Sequence, residues 1–186
     1  MLFQKLEWST KMELDKYAFR VDFLRPFMVS KFFEREEGER YKICTVDRPL
    51  ENIFTNKKLP LSVIDTRKIK CVSMLQDGEQ EINGHEKLNR LYKSVLTPLD
   101  AYAFRAFYED QSLIPEEWER FDSYVSFSFP GTLFGCTWCW SKSACSYITD
   151  YYVLELFKNN GRWQWRKCAV KSKDFGTKKH LLLAQC

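Results

Sequence analysis

The sequence predicts an α+β protein: antiparallel strands with two or three short helices, the C-terminal half forming a small meander or barrel. Three observations lead there. Apolar and polar residues alternate at Tyr17, Phe19, Val21 and Phe23, and again at Val125, Phe127 and Phe129, which is the period of a half-buried strand. Asn160-Gly161 supplies the positive φ angles of a tight hairpin turn between Tyr151–Phe157 and Arg162–Val170. Between these regions, two segments have helical spacing, His85–Val95 and Pro98–Asp110.

In chain order, the first strand runs over Tyr17–Phe23 and stops at Pro26. Met28–Phe33 and Tyr41–Val46 then form a long hairpin around the charged tip Glu34–Glu39. Ile69–Leu75 is a further strand, and the turn Asp77-Gly78 brings Glu79–Ile82 back to pair with it. Leu88, Leu91, Tyr92 and Val95 make the apolar stripe of the first helix. The second starts with Thr97 as N-cap, Pro98 at the first helical position and Asp100 in the first turn. Leu99, Ala103, Phe104, Ala106 and Phe107 form its buried stripe, and another helical turn begins at Pro115-Glu116-Glu117-Trp118. Pro130-Gly131 breaks the strand begun at Val125, and His180–Leu183 closes the set. This divides the chain into an N-terminal α+β lobe, 1–95, and a helix followed by an antiparallel sheet, 96–186. No linker rich in Gly, Ser or Pro separates them, so one continuous domain fits as well.

Composition narrows the function. With 186 residues, 45% apolar, and 15 Phe, 9 Tyr and 6 Trp, the chain has ample material for a packed core, which argues against disorder. Nothing approaches the roughly 20 apolar residues of a membrane span, and charges at Lys5, Glu7, Lys11 and Glu13 interrupt the apolar run a signal peptide needs. A cytoplasmic protein with reduced thiols is expected from this and from an odd count of seven Cys. There is no Gly-x-Gly-x-x-Gly, no Walker loop and no His-Glu-x-x-His, so dinucleotide, nucleoside-triphosphate and zinc-protease chemistry lack a motif.

Charge is unevenly placed. From Lys158 to Lys179 there are eight basic residues against one acid, a net +7 in a chain of net +4, so the rest carries −3. That asymmetry suits a polyanion or an acidic partner, although a solvated lysine-rich face has the same composition. On a regular strand Trp163 and Trp165 share one face while Arg162, Gln164 and Arg166 take the other. The rings then fit a core, and the outward cations become the contact residues. The candidate binding set is Arg162, Arg166, Lys167, Lys171, Lys173, Lys178 and Lys179, with Trp138 and Trp140 on a nearby loop.

Cys136-Thr137-Trp138-Cys139, with Cys145 and Cys168, offers four thiolates for a structural zinc, the one cofactor the sequence suggests. Free cysteines also serve as small buried apolar residues, and a second paired Cys-x-x-Cys is missing. His85 and His180 are the only imidazoles, and Cys136 or Cys145 with His180 can be written as a dyad, although sequence spacing does not supply its geometry. Asp65, Glu79, Glu81 and Glu86 flank predicted strands and are the carboxylates a metal-dependent nuclease would use.

The segments Leu99-Asp100-Ala101, Leu113-Ile114-Pro115-Glu116-Glu117-Trp118, the Phe-x-Gly-Thr ending at Thr132, Tyr152-Val153-x-x-Leu156, Gly161-Arg162-Trp163-x-Trp165 and Leu181-Leu182-Leu183-Ala184 occur in a distinctive order. From about residue 96 to the end, the chain resembles a module of unknown function found in uncharacterised bacterial and phage-associated proteins. Gly135–Ile148 is longer and richer in cysteine than that module, and the C-terminal strands are more basic. The resemblance implies no activity; it suggests an accessory or inhibitory factor in a defence or mobile-element system. The expectation is a non-enzymatic protein that binds a nucleic acid, a nucleoprotein complex or an acidic protein surface. A metal-dependent nuclease and a zinc-stapled interaction module are the alternatives.

Overall fold

The computed structural model describes residues 17–25, 27, 61–139 and 147–186, with side chains for all of these except 136–139 and 147–149. Along the chain come β1 (Ala18–Arg20), β2 (Val63–Asp65), β3 (Ile69–Val72), α1 (Gly84–Lys93), β4 (Thr97–Pro98), α2 (Ala101–Glu109), β5 (Ser126–Cys139), β6 (Tyr147–Asn159), β7 (Arg162–Ala169) and β8 (His180–Gln185). β1 and β2 form a small antiparallel pair. The main sheet has the order β3-β8-β5-β6-β7, with β4 paired to β8. The protein is α+β, and β5-β6-β7 is the expected meander. The sheet stays open, with β3 and β7 at its edges, so the barrel alternative does not hold.

Each helix covers one face of this sheet. α2 begins where the Asp100 side chain accepts a hydrogen bond from the Ala103 N–H at 2.9 Å. Its buried Phe104 and Phe107 pack with Phe127, Phe129, Leu154, Leu156, Trp163 and Leu183. At about 1.5–3 kcal/mol for each fully buried large apolar side chain, this layer is the main source of stability. α1 begins at Asn83, whose side chain accepts from the His85 N–H at 2.8 Å, and its last turn carries Arg90 and Lys93, matching the helix dipole. Leu88, Leu91 and Tyr92 face Leu133, Val153, Cys168, Val170, Leu182 and Ala184 on the opposite side of the sheet.

The hairpin turn is as expected: Asn160 has φ 49° and Gly161 φ 75°, the left-handed pair of a type I′ turn. Other expectations need correction. Thr97 and Pro98 are a short strand on β8, and the N-cap is Asp100, because the Leu99 N–H is used by Leu183 O at 2.9 Å. Pro130-Gly131 does not end β5; it sits at an irregularity between Phe129 and Phe134 where the Gly131 N–H reaches Leu99 O at 2.8 Å. Glu79–Ile82 does not return to β3, which pairs with β8, and only Glu81 makes an isolated bridge to Thr177. The alternating segment at Tyr17 yields a strand of only three residues, Ala18–Arg20. The hairpin predicted for 28–46 lies outside the described residues.

The C-terminal strand β8 is inserted between β3 and β5, antiparallel to the first and parallel to the second. A parallel neighbour cannot be reached by a tight turn, so residues 170–179 cross from β7, at the edge, over the α1 side of the sheet. β3 and α1 therefore share one sheet and one core with the C-terminal half.

Gly84, the first residue of α1, lies against this crossover, and a Cβ there would stand 1.9 Å from Val170 O. Gly84→Ala is therefore expected to lower unfolding free energy by at least about 2 kcal/mol, measured by urea denaturation.

Candidate functional site

Strand alternation places Ser126 and Ser128 of β5, Glu155 of β6, Arg166 and Cys168 of β7, and His180 of β8 on the α1 face. Glu155 is fully buried and is the centre of the group. Its Oε1 accepts from Ser128 Oγ at 2.6 Å and meets His180 Nδ1 at 2.8 Å. Its Oε2 accepts from Arg166 Nε at 3.0 Å, while Arg166 Nη2 donates to Ser126 Oγ at 2.7 Å. Burial would raise the Glu155 carboxyl, but the His180 and Ser128 hydrogen bonds and the Arg166 charge outweigh it and hold the pKa below its ordinary value. The carboxylate is thus ionised and fully coordinated.

Lys87 of α1 closes the seam from above. It is fully buried, and its Nζ donates to Phe175 O at 2.8 Å, Thr177 O at 2.7 Å and His180 O at 2.5 Å. One ammonium has three protons, so this set of acceptors satisfies it completely. Burial still disfavours the charge, lowering the Lys87 pKa to about 8 despite Glu155 nearby.

Glu155, Cys168 and His180 place three potential ligand atoms within 4.8 Å of one another, all buried. That is a donor set zinc accepts, but Arg166 and Lys87 already supply positive charge beside it, and a divalent ion would add to two cations. The same three residues do not form a nucleophile relay. Cys168 Sγ lies 4.0 Å from His180 Nδ1, the atom already facing Glu155, so base and orienting group compete for one nitrogen. Burial pushes the Cys168 thiol up to about 12, with the Glu155 charge adding to it. The geometry describes a polar staple rather than a reaction centre.

The predicted basic set is divided by the fold. Arg166, 45% exposed, is tied to Glu155, and its guanidinium lies 5.0 Å from the Phe157 ring centroid. Lys171 pairs with Asp150 at 2.6 Å, and Lys167 sits on the face opposite Arg166. Arg162, Lys173 and Lys178 are exposed and make no ion pair among the described residues. Lys179 is exposed with its Nζ 5.7 Å from the ring centroid of Tyr124, which is itself 77% exposed. Trp163 is buried, with Nε1 donating to Glu119, and Trp165 is half-buried against the α2 layer, so both rings serve the core.

The other candidates scatter. Cys136 and Cys139 lie on β5 opposite Asp150 and Tyr147, while Cys168 lies on β7 opposite Val153, so all of β6 separates them, about 9.6 Å across two strand spacings. Trp138 is on β5; Cys145 and Trp140 lie outside the described residues. Glu79 and Glu86 do converge, but on Arg90, at 2.5 and 3.0 Å, which puts a guanidinium where a catalytic metal would sit. Asp65 caps a 3-10 turn and pairs with Arg67, and Glu81 is exposed. His85 is exposed on α1 near Tyr151.

Glu155, Ser128 and Lys87 were missed from sequence. Glu155 carried a usable signal: a lone carboxylate inside the apolar strand Tyr151–Phe157 must be paired if that strand is buried. Comparison with protein-family models, with curated proteins and with solved structures gives no significant match. Among the described residues, no helix is long and apolar enough to cross a membrane.

Two outcomes follow from the seam. Because Lys87 has a folded-state pKa of about 8 against an ordinary 10.5, the unfolded chain holds more proton between those values, and stability rises with pH across the window. Denaturation of the native protein and Lys87→Met over that range is expected to show a slope of up to about 3 kcal/mol that the variant lacks, on a lower baseline. Mass-spectrometric mapping after brief alkylation of the native protein is expected to find exposed Cys186 modified at least ~10-fold faster than Cys168.

Proposed function

We propose that this protein works by binding, not catalysis, and that its partner is a nucleic acid or a nucleoprotein complex engaged by the uncommitted cations beside β7 and the crossover. The observation that carries this is the split within the basic set. Arg166 and Lys171 neutralise Glu155 and Asp150, whereas Arg162, Lys173 and Lys178 stand in solvent without an ion-pair partner among the described residues. Exposed, unneutralised positive charge attracts polyanions and releases counterions when it meets phosphates. The Cys168–His180–Glu155 group, the nearest thing to a catalytic constellation among the described residues, is closed and internally satisfied, which favours the binding reading over an enzymatic one.

The resemblance of residues 96–186 to a module of bacterial and phage-associated proteins supports an accessory or inhibitory role in a defence or mobile-element system. Copurification from the native host identifies the partner in that case.

Retention of the protein on immobilised nucleic acid is expected at low salt and lost as salt rises. The triple variant Arg162→Glu, Lys173→Glu, Lys178→Glu should weaken binding at least ~100-fold without changing the unfolding midpoint, since all three are exposed and make no ion pair among the described residues. No retention of the native protein at low salt would remove direct nucleic-acid binding.

A further inference from the structure

We infer that the ligand is a single strand, gripped on the half of the α1 face that α1 leaves bare, with Tyr124 as the base-stacking ring; this rests on the nucleic-acid reading above. α1 packs over Val153, Cys168, Leu182 and Ala184. Farther along the same face, strand register sets Ser126 beside Phe157, Phe157 beside Gln164, and Asn159 beside Arg162. Asn159, Arg162 and Gln164 are exposed, Phe157 is half-buried, and no described helix covers them.

Tyr124 extends this surface. Tyr124 lies in the turn that leads into β5, and Lys179, at the end of the crossover, stands over its ring. The Ser126 N–H bonds Lys179 O at 2.9 Å, and Ser126 Oγ receives Arg166, so the two aromatic–cation pairs Tyr124–Lys179 and Phe157–Arg166 are joined through one residue.

An exposed tyrosine flanked by lysine offers a base a π face and a phosphate a counter-ion. Tyr124 lies in the turn just before β5, two residues ahead of Ser126, the partner of Phe157. Bases locked in a duplex rise only about 3.4 Å per step and hide their faces from such rings. A single strand exposes them. Its phosphates then run past Lys179, Lys178 and Arg162, while Asn159 and Gln164 supply sequence-tolerant hydrogen bonds.

The test is fluorescence anisotropy of the intact protein with labelled oligo(dT) and oligo(U) of about 16 nucleotides, and with a duplex of equal length. Tighter binding to a single strand than to the duplex is expected. Tyr124→Ala should weaken it about tenfold with the salt slope unchanged, and Tyr124→Trp should restore it. Lys179→Glu should lower both affinity and salt slope. Tyr124 is exposed, so loss of folding does not cloud its substitution. Equal or tighter duplex binding, or an unchanged affinity in Tyr124→Ala, would overturn the single-strand site while leaving nucleic-acid binding intact. Failure to bind any of the probes would overturn both.

Discussion

The fold depends on holding one backbone crossover against the sheet. β8 lies parallel to β5, so the chain leaving β7 at the edge must pass over two strands before it can insert. Its carbonyls at Phe175, Thr177 and His180 are turned toward α1, and the buried ones at Phe175 and His180 would cost free energy if left unbonded. Lys87 meets all three with one ammonium. The same residue packs over the Phe175 ring, with Nζ 5.4 Å from its centroid. Because β8 also carries β3 and β4, the attachment of the N-terminal part of the sheet depends on that crossover staying in place.

The charged seam beneath Lys87 has a different energetic character. Glu155, His180 and Arg166, with Ser126 and Ser128, link the four adjoining strands β8-β5-β6-β7 on the α1 face, and such a buried network adds little net stability over an apolar core of equal volume. What it adds is registry. A slip of one residue in β6 would turn Glu155 into the α2 layer among Phe104, Phe129 and Trp163 and leave Arg166 without its carboxylate. The seam thus penalises wrong pairings of a sheet in which β8 pairs in parallel with β5, a contact between residues more than fifty positions apart. It also gives the buried Cys168, His180 and Glu155 a structural reason to lie together.

Local features were legible in the sequence and long-range ones were not. Asn160-Gly161 specifies its own turn, and the stripe at Leu88, Leu91 and Tyr92 specifies a buried helical face, because both depend on residues within a few positions. The start of α2 was misread because Thr97 and Asp100 are both good caps. The choice between them is made by Leu183, more than eighty residues away, which takes the Leu99 N–H. Lys87 looks like any solvent-facing helix residue until the crossover is laid across it. The basic run from Lys158 to Lys179 read as one surface, but alternation and ion pairing separate it, since composition records charges and not which ones are already neutralised.

That separation decides where a ligand can be held without cost to the fold. A strand at the edge of a sheet is prone to pair with another chain, and charged side chains on β7 oppose this, so part of the basic character has a protective use. Protection accounts for Arg162, Arg166 and Lys167, which lie on the strand itself. It does not account for Lys178 and Lys179, which lie in the crossover beside the central strand β8, or for an aromatic ring left in water next to one of them. Edge protection requires repulsion and gains nothing from an exposed tyrosine. A binding surface requires attraction for charge together with a place to bury a ring. Lys178, Lys179 and Tyr124, which edge chemistry leaves unexplained, are the residues on which the proposed binding surface rests, and their proximity supports that proposal more than the total of positive charge does.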